Sequence, residues 1–431
     1  MGIVAENRTE MKRLAKSLIN KKQVPLSKPL QKFVMEMSLG MAVTGTCCVT
    51  EIGRKLGEET ALKHTLKRLS HMLARHGETV LEHANHAGLK TMAPYLSDQT
   101  VLAVDGGDLV HRHGRTFEHL ATVKDGSTGQ LEQGYWLNQV TGYDPASRTV
   151  FPLLLDIYST REKGFKSANT ETLSMIRRVR ATTRARVLWV MDRGYDAGII
   201  LHHLLHNEEE FMVRMTRSRN LIHKGESVPI TTLVEGVNRR YTFGKYARFG
   251  SCKAQICLRQ TMFDVTLIVV KNKGSKDPIF FLANGRIKSG KELKRRINGY
   301  FHRWGVEEAY RFEKQGLGLE RMTVRHFGRT KGLVGLSLLA WLLLAKANQS
   351  LKMKTVLEKA ARPEKTSAPR RPRFLYYRLQ KGLQELFAGT KRLFGFRLRN
   401  QNRQNNDPPS AQPLLFPQFL THPEWSLEWV G

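Results

Sequence analysis

The chain has 431 residues, of which 70 are Lys or Arg and 38 are Asp or Glu, so its formal net charge at pH 7 is +32. This charge excludes a protein that acts mainly on cationic partners, and it favours a polyanion, nucleic acid first of all. Hydrophobic residues make up 41% of the chain, an ordinary value for a globular protein, so the molecule is not simply a disordered basic tail.

Residues 1–98 are predicted to form a helical N-terminal domain that binds DNA. Segments such as 59–73 (ETALKHTLKRLSHML) carry apolar residues three and four positions apart, which is typical of an amphipathic helix. The polar positions between them are rich in Lys, Arg and His, which suits contact with DNA phosphates. The alternative is a solvated helical domain without a partner.

From Val101 onward the pattern predicts alternating strands and helices. The predicted elements are a strand ending at Asp105, a hairpin around 143–147, a helix at 168–183, a strand ending at Asp192, a helix near 196–206 and a strand at 211–215. This order matches an α/β ribonuclease-H-like core, assigned to residues 99–215 and 287–350. Functional sites in strand-helix sheets gather at the carboxyl ends of strands, where both aspartates are expected.

The remaining segments complete the predicted domain organisation. Residues 216–286 alternate and contain glycines, so we expect a β-rich insertion subdomain there. The apolar stretch 332–347 is shorter than the roughly 20 residues that span a bilayer, which predicts a buried helix and no membrane partner. Residues 351–431 are predicted to be a basic C-terminal region for DNA contact or dimerisation, with a flexible linker at 400–413. Within it, 351–400 has 14 basic and 3 acidic residues; a solvated helical face is the alternative.

The segment 300–314 (YFHRWGVEEAYRFEK) is the most informative about chemistry. If it is one helix, Tyr300, Arg303, Glu307 and Lys314 share a face about 60° wide, and Arg311 joins its edge. A carboxylate among Arg, Lys and Tyr suits a metal ion beside a phosphodiester, because the cations and the phenol can hold phosphate oxygens. An exposed helix with ordinary ion pairs is the alternative.

The spacing Y-x2-R-x3-E-x6-K of these residues resembles the signature of DDE transposases of the insertion-sequence-four family. The run 192–195 (DRGY) is similar to the segment around that family's second acidic residue, and the apolar strand before Asp105 resembles the segment around the first. The β-rich insertion between the second and third acids is a further point of resemblance. The resemblance covers about residues 99–345.

The resemblance implies that Asp105, Asp192 and Glu307, spaced 87 and 115 residues apart, are the catalytic carboxylates. They would bind two Mg²⁺ ions, with Mn²⁺ able to substitute. Asp108 is the alternative to Asp105. The residues that would contact DNA are Tyr300, Arg303, Lys314, Arg311 and Arg193, although Arg193 could equally pair with a site carboxylate.

The implied function is a transposase that binds the inverted repeats of its own insertion sequence and cuts and joins DNA strands in cut-and-paste transposition. The resemblance also implies double-stranded DNA, both transposon ends and target, as the partner and a homodimer in the synaptic complex. The expected location is the cytoplasm, at the nucleoid of a bacterial-type cell. The alternatives are a two-metal nuclease or resolvase on the same core and a non-catalytic DNA-binding descendant.

Overall fold

Four helices open the chain, as the periodic apolar residues predict. The computed structural model describes residues 2–19, 25–112, 116–234, 237, 239, 241–243, 247–285, 287, 289–361 and 374–394. Helix α2 ends at Gly45, whose φ of 70° is the left-handed conformation that glycine adopts at low cost. The helical N-terminal region is therefore confirmed, and its helices are α1 (Gly2–Ser17), α2 (Lys28–Thr44), α3 (Val49–Leu56) and α4 (Leu62–Met92).

The described residues contain one large mixed sheet, which confirms the α/β class. Its first strands are β1 (Val101–Val110), β2 (Ala121–Lys124), β3 (Leu131–Asp144), β4 (Thr149–Tyr158), β5 (Leu188–Met191) and β6 (Glu210–Arg214). Strand β1 pairs antiparallel with β3 and parallel with β5, while β3 also pairs with β4 and β5 pairs parallel with β6. The predicted hairpin is the β3–β4 turn. The predicted helices are present as α5 (Ala168–Arg180) and α6 (Gly198–His206).

Strand β1 is longer than the sequence suggested. It was expected to end at Asp105, but it continues to Val110 because β3 provides antiparallel partners along this whole stretch, Asp105 itself lying opposite Gln139. The parallel pairing of β1 with β5 does stop early, at Val104 opposite Met191. Asp105 and Asp192 are the next residues on the two strands, so the register makes them neighbours.

The β-rich segment after β6 continues the same sheet. Strand β12 pairs antiparallel with β6, and the sheet order runs onward from β12 through β11 and β10 to β7 and β8. The division into a core and an insertion subdomain remains a prediction. The elements are β7 (Asn220–His223), β8 (Glu226–Pro229), α7 (Ile230–Leu233), β9 (Tyr241–Phe243), β10 (Ala247–Leu258), β11 (Thr261–Asn272) and β12 (Ile279–Asn284).

Helices return after the sheet. They are α8 (Gly290–Phe301), α9 (Trp304–Arg311), a π-helical turn (Phe312–Gly316), α10 (Phe327–Gln349), α11 (Leu351–Ala360) and α12 (Leu375–Leu386). Helix α8 is capped by Ser289, whose hydroxyl accepts a hydrogen bond from the amide of Glu292.

Helix α10 is the apolar segment that was predicted to be buried. It is long and apolar enough to cross a membrane, but 89% of its apolar window is buried inside the protein, as is typical of a core helix. It packs closely against α4, where Gly332 and Gly335 face Gly77 and Leu81: a Cβ at Gly335 would lie 2.7 Å from the Cα of Leu81.

Residues 1–394 form one compact unit. The C-terminal segments 362–373 and 395–431, including the expected linker at 400–413, lie outside the described residues. The expected role of the basic C-terminal region therefore remains a prediction.

Candidate active site

The sheet brings two of the predicted acids side by side. Asp105 follows the last β1 residue paired with β5, and Asp192 follows the last residue of β5. The side chain of Asp105 is 16% exposed, and that of Asp192 is 38% exposed. One acid is thus largely shielded from water while the other remains open to a ligand.

The segment that carries the other predicted residues is not one continuous helix. Helix α8 ends at Phe301 and α9 begins at Trp304. The amides of Arg303 and Gly305 donate to the carbonyls three residues earlier, which closes a tight turn between the helices. The ring of His302 stacks on Tyr143 at a centroid distance of 3.8 Å, so the break contacts the β3–β4 hairpin.

Arg303 connects the first and third acids. Its Nη1 donates to Oδ2 of Asp105 at 2.8 Å, and its Nη2 donates to Oε1 of Glu307 at 3.1 Å. The Glu307 contact joins residues one helical turn apart, so the predicted common face holds for this pair. The Tyr300 hydroxyl donates to Oδ1 of Asp192 at 3.3 Å. All three acids are therefore in contact with a member of the predicted signature.

The acids influence one another's ionisation. Burial raises the pKa of Asp105 to about 6; Arg303 opposes this rise, whereas the charges of Asp192 and Glu307 add to it. Burial also raises the pKa of Tyr300 to about 12, with Asp192 contributing in the same direction. The Tyr300 phenol therefore stays protonated at neutral pH and can donate a hydrogen bond.

Helix α9 lies directly over β1. The Tyr310 hydroxyl donates to the backbone carbonyl of Asp105 at 2.7 Å. A Cβ at Gly107 would lie 3.0 Å from the Tyr310 ring, so the glycine allows this close approach. Tyr310 thereby fixes the position of Glu307 relative to Asp105.

Lys314 does not join the other signature residues. It lies in the π-helical turn, which departs from the α-helical spacing, and its Nζ donates to Oδ2 of Asp108 at 2.8 Å. Arg311 stays on α9, one helical turn after Glu307, but its Nη1 pairs with Oε1 of Glu308, three residues earlier, at 2.5 Å. Arg193 lies exposed in the 3-10 turn after β5. The structure thus brings Arg303 and Glu307 into contact, whereas Lys314 and Arg311 contact other acids, Asp108 and Glu308.

Sequence analysis did not identify the contacts that Arg214 and Asp196 make near the second acid. Arg214 ends β6, the parallel neighbour of β5, and its Nη1 lies 3.7 Å from Oδ1 of Asp192. The signal was available, because parallel strands end at the same edge. Asp196, just before α6, accepts hydrogen bonds from Thr216 and Arg219, while Ala197 occupies the cap position of the helix. This contact ties the turn after Asp192 to the chain beyond β6.

The donor chemistry suits a hard divalent cation, since carboxylate oxygens are its preferred ligands. The charges of Asp192 and Glu307 add to the rise that burial causes in the pKa of Asp105, so a bound cation would relieve repulsion among the three acids. In the described parts of the chain no three such ligands already surround one point. Arg303 instead supplies the charge to Asp105 and Glu307. The residues fit a divalent ion once this guanidinium is released.

Comparison with known proteins gives one match that covers most of the core. The family description "Transposase DDE domain" matches residues 96–343, more than half of the chain. No curated protein matches the sequence.

Two solved structures have low similarity to this fold. One is a piggyBac transposase synaptic complex with hairpin DNA, at 10% identity and a TM-score of 0.41, covering 89% of this chain and 77% of that one. The other is the NurA nuclease from Sulfolobus solfataricus, at 15% identity and a TM-score of 0.27, covering 46% of this chain and 73% of that one. Both TM-scores are below 0.5, so neither likeness carries an argument about fold or activity.

Proposed function

This chain belongs to the transposase DDE domain family, and we propose that it is a cut-and-paste transposase of the insertion-sequence-four type. It would bind the inverted repeats of its own element, cleave the DNA strands there and join them to a target. The observation that carries the proposal is the contact of Arg303 with both Asp105 and Glu307, beside Asp192 on the neighbouring strand.

The proposed core is ribonuclease-H-like, spanning 99–215 and 287–350. Its support is the strand order β4-β3-β1-β5-β6, in which three antiparallel strands are followed by two parallel ones. We propose 1–98 as the DNA-binding domain, 216–286 as the β-rich insertion and 351–431 as the region for DNA contact or dimerisation.

Asp105, Asp192 and Glu307 would hold the divalent ions, two Mg²⁺ or Mn²⁺ in their place. When bound, these ions would supply charge stabilisation at phosphorus and a stronger oxygen nucleophile. The partial burial of Asp105 supports this role, because a carboxylate shielded from water gains more from a cation than an exposed one does.

The signature side chains would act on the DNA backbone. Once the carboxylates are neutralised, Arg303 would be free to hold a phosphate oxygen with the two nitrogens that now hold acids. Tyr300, protonated at neutral pH, would donate a hydrogen bond to another oxygen. Lys314, Arg214 and Arg193 would add positive charge around the same strand.

Binding outside the active site would rest on exposed cations. Helix α4 exposes Lys63, Lys67, His71 and Arg75, spaced four residues apart on one side of the helix. Such a row suits phosphates along a duplex. We propose further that two copies pair the element's ends, and that the protein works at the nucleoid in the cytoplasm.

The direct test uses purified protein, a divalent ion and a supercoiled plasmid that carries the element's ends. The wild type should release the element and join it to new DNA. Asp192→Asn and Glu307→Gln should abolish cleavage and joining, because each removes one ligand charge, while end binding remains within about threefold of wild type.

The outcomes separate the alternatives. Cleavage that ignores the element's ends, without joining, would favour a two-metal nuclease. End binding without metal-dependent chemistry in the wild type would favour a non-catalytic descendant. Cutting by Glu307→Gln at the wild-type rate would show that the acids are wrongly assigned.

A further inference from the structure

Asp108 is a largely buried carboxylate close to the active site whose role the proposed chemistry leaves unassigned. It lies on β1 three residues after Asp105, and its side chain is 9% exposed. Both of its oxygens are already engaged. Oδ2 accepts from Nζ of Lys314 at 2.8 Å, and Oδ1 accepts from the backbone amide of Gly126 at 3.1 Å.

The Gly126 amide fixes the carboxylate in one orientation. Gly126 lies between β2 and β3, and a Cβ there would stand 3.1 Å from Oδ1 of Asp108, tighter than most contacts of real side chains. The bare glycine therefore lets the backbone come close enough to hold the acid. An acid held at one oxygen presents the other in a defined direction.

The partner of that second oxygen is a signature cation. Lys314 has three donor hydrogens, and its side chain is 16% exposed. Asp108 uses one of them, and Glu320 lies farther away at 3.8 Å. Hydrogen-bonding capacity remains for a phosphate oxygen. The lysine ammonium otherwise moves freely on a flexible four-carbon side chain, so an ion pair with a fixed carboxylate restricts the position of its charge.

We infer that Asp108 is a positioning residue that, together with the Gly126 amide, aims Lys314 at a phosphate of the bound DNA strand. This role rests on the proposed function and deepens it. It differs from a metal-ligand role, in which Asp108 would contact the ion itself rather than Lys314.

The test is a double-mutant cycle in the full-length protein. The probe is a labelled duplex made from the DNA flanking the coding region, and the readout is affinity without divalent ions across a salt series. Lys314→Ala should reduce the slope of log affinity against log salt by about one, as expected for one lost phosphate contact. Asp108→Asn should give a similar loss, and the double variant should lose no more than Lys314→Ala alone.

Asp125→Asn is the matched control. Asp125 lies beside Gly126, its side chain is 5% exposed, and it pairs with Arg112 at 2.8 Å rather than with a signature residue. Its effect should add to that of Lys314→Ala. Gly126→Ala is a second test, because its added methyl group should displace the Asp108 carboxylate without removing its charge. It should reduce DNA affinity as Asp108→Asn does.

Additive losses for Asp108→Asn and Lys314→Ala would overturn the inference. So would loss of Mn²⁺ binding in Asp108→Asn, measured by electron paramagnetic resonance, because that result would make Asp108 a ligand. The cycle is measured without metal, so it stays interpretable even if the wild type proves unable to cut DNA, which would reject the proposed function alone.

Discussion

The guanidinium of Arg303 gives positive charge to two acids at once, Asp105 at 2.8 Å and Glu307 at 3.1 Å. The side chains of Arg303 and Asp105 are 14% and 16% exposed, so water screens this pair only weakly, whereas Glu307 is 46% exposed. The same residue is proposed to hold DNA. Binding of a divalent ion and binding of a phosphate are therefore linked through one side chain, which cannot satisfy both acids and the DNA fully at the same time.

Proton competition follows from the pKa of Asp105, which burial raises to about 6. Below that value the carboxyl gains a proton and loses the charge that a metal ion needs, so affinity falls as pH falls. We expect Mn²⁺ affinity to change little above pH 6 and to decrease by up to about tenfold per unit below it. Titration followed by electron paramagnetic resonance measures this directly.

Glu320→Gln is a suitable control for the pH titration, because Glu320 is outside the three acids and should leave the profile unchanged. A constant Mn²⁺ affinity from about pH 7 to about pH 5 would contradict the assignment of Asp105 as a ligand.

Single residues also show what the sequence could predict about the site. Asp105 and Asp192 were each expected directly after an apolar run, and in the structure each follows the last residue paired between β1 and β5, although β1 itself continues beyond Asp105. The contacts of Lys314 with Asp108, and of Asp108 with Gly126, were not predictable. They depend on a π-helical turn and on a close backbone approach, and neither leaves a periodic pattern in the sequence.

At the scale of elements, the crossing of α4 and α10 depends on glycine. A side chain at Gly335 would meet the Leu81 backbone at 2.7 Å, and backbone atoms cannot move aside as a flexible side chain can. We expect Gly335→Val to lower the free energy of unfolding by about 3 kcal/mol. Urea unfolding followed by circular dichroism measures the change.

Gly328→Ala on the same helix is the control, because a Cβ there meets nothing within 4 Å. Its stability should stay within about 1 kcal/mol of wild type. Equal denaturation midpoints for the two variants would show that α4 and α10 do not pack this closely in solution.

The order of strands and helices was predictable from periodicity, since each of the elements from β3 to β6 has a clear apolar pattern with turn residues between. The break between α8 and α9 was not predictable in this way. The residues on both sides of His302 continue a helical pattern, and the stacking of His302 on Tyr143 at the break joins residues far apart in the chain. Tertiary contacts of this kind override local preference.

For the whole molecule, the net charge of +32 makes DNA affinity strongly dependent on salt. The exposed cations of α4 should account for a defined part of this dependence. Replacing Lys63, Lys67 and Arg75 together by Ala should reduce the slope of log affinity against log salt by about 2.7, if each contacts one phosphate. Fluorescence anisotropy over a salt series measures the slope.

Asp192→Asn provides the comparison, because it alters the active site and should leave the contribution of α4 intact. An unchanged slope in the triple variant would mean that this face of α4 is simply solvated, as the alternative interpretation of the N-terminal helices holds.

The pairing of β12 with β6 has a consequence for how such a protein can be altered. Strand β12, within the proposed insertion, is hydrogen-bonded to β6, the strand that carries Arg214 next to the second acid. Removing 216–286 would leave β6 as an open edge, with unpaired amides and carbonyls ready to pair with another chain. The segment therefore contributes to the stability of the sheet, and shortened versions of this protein would need a replacement strand at that edge to avoid aggregating.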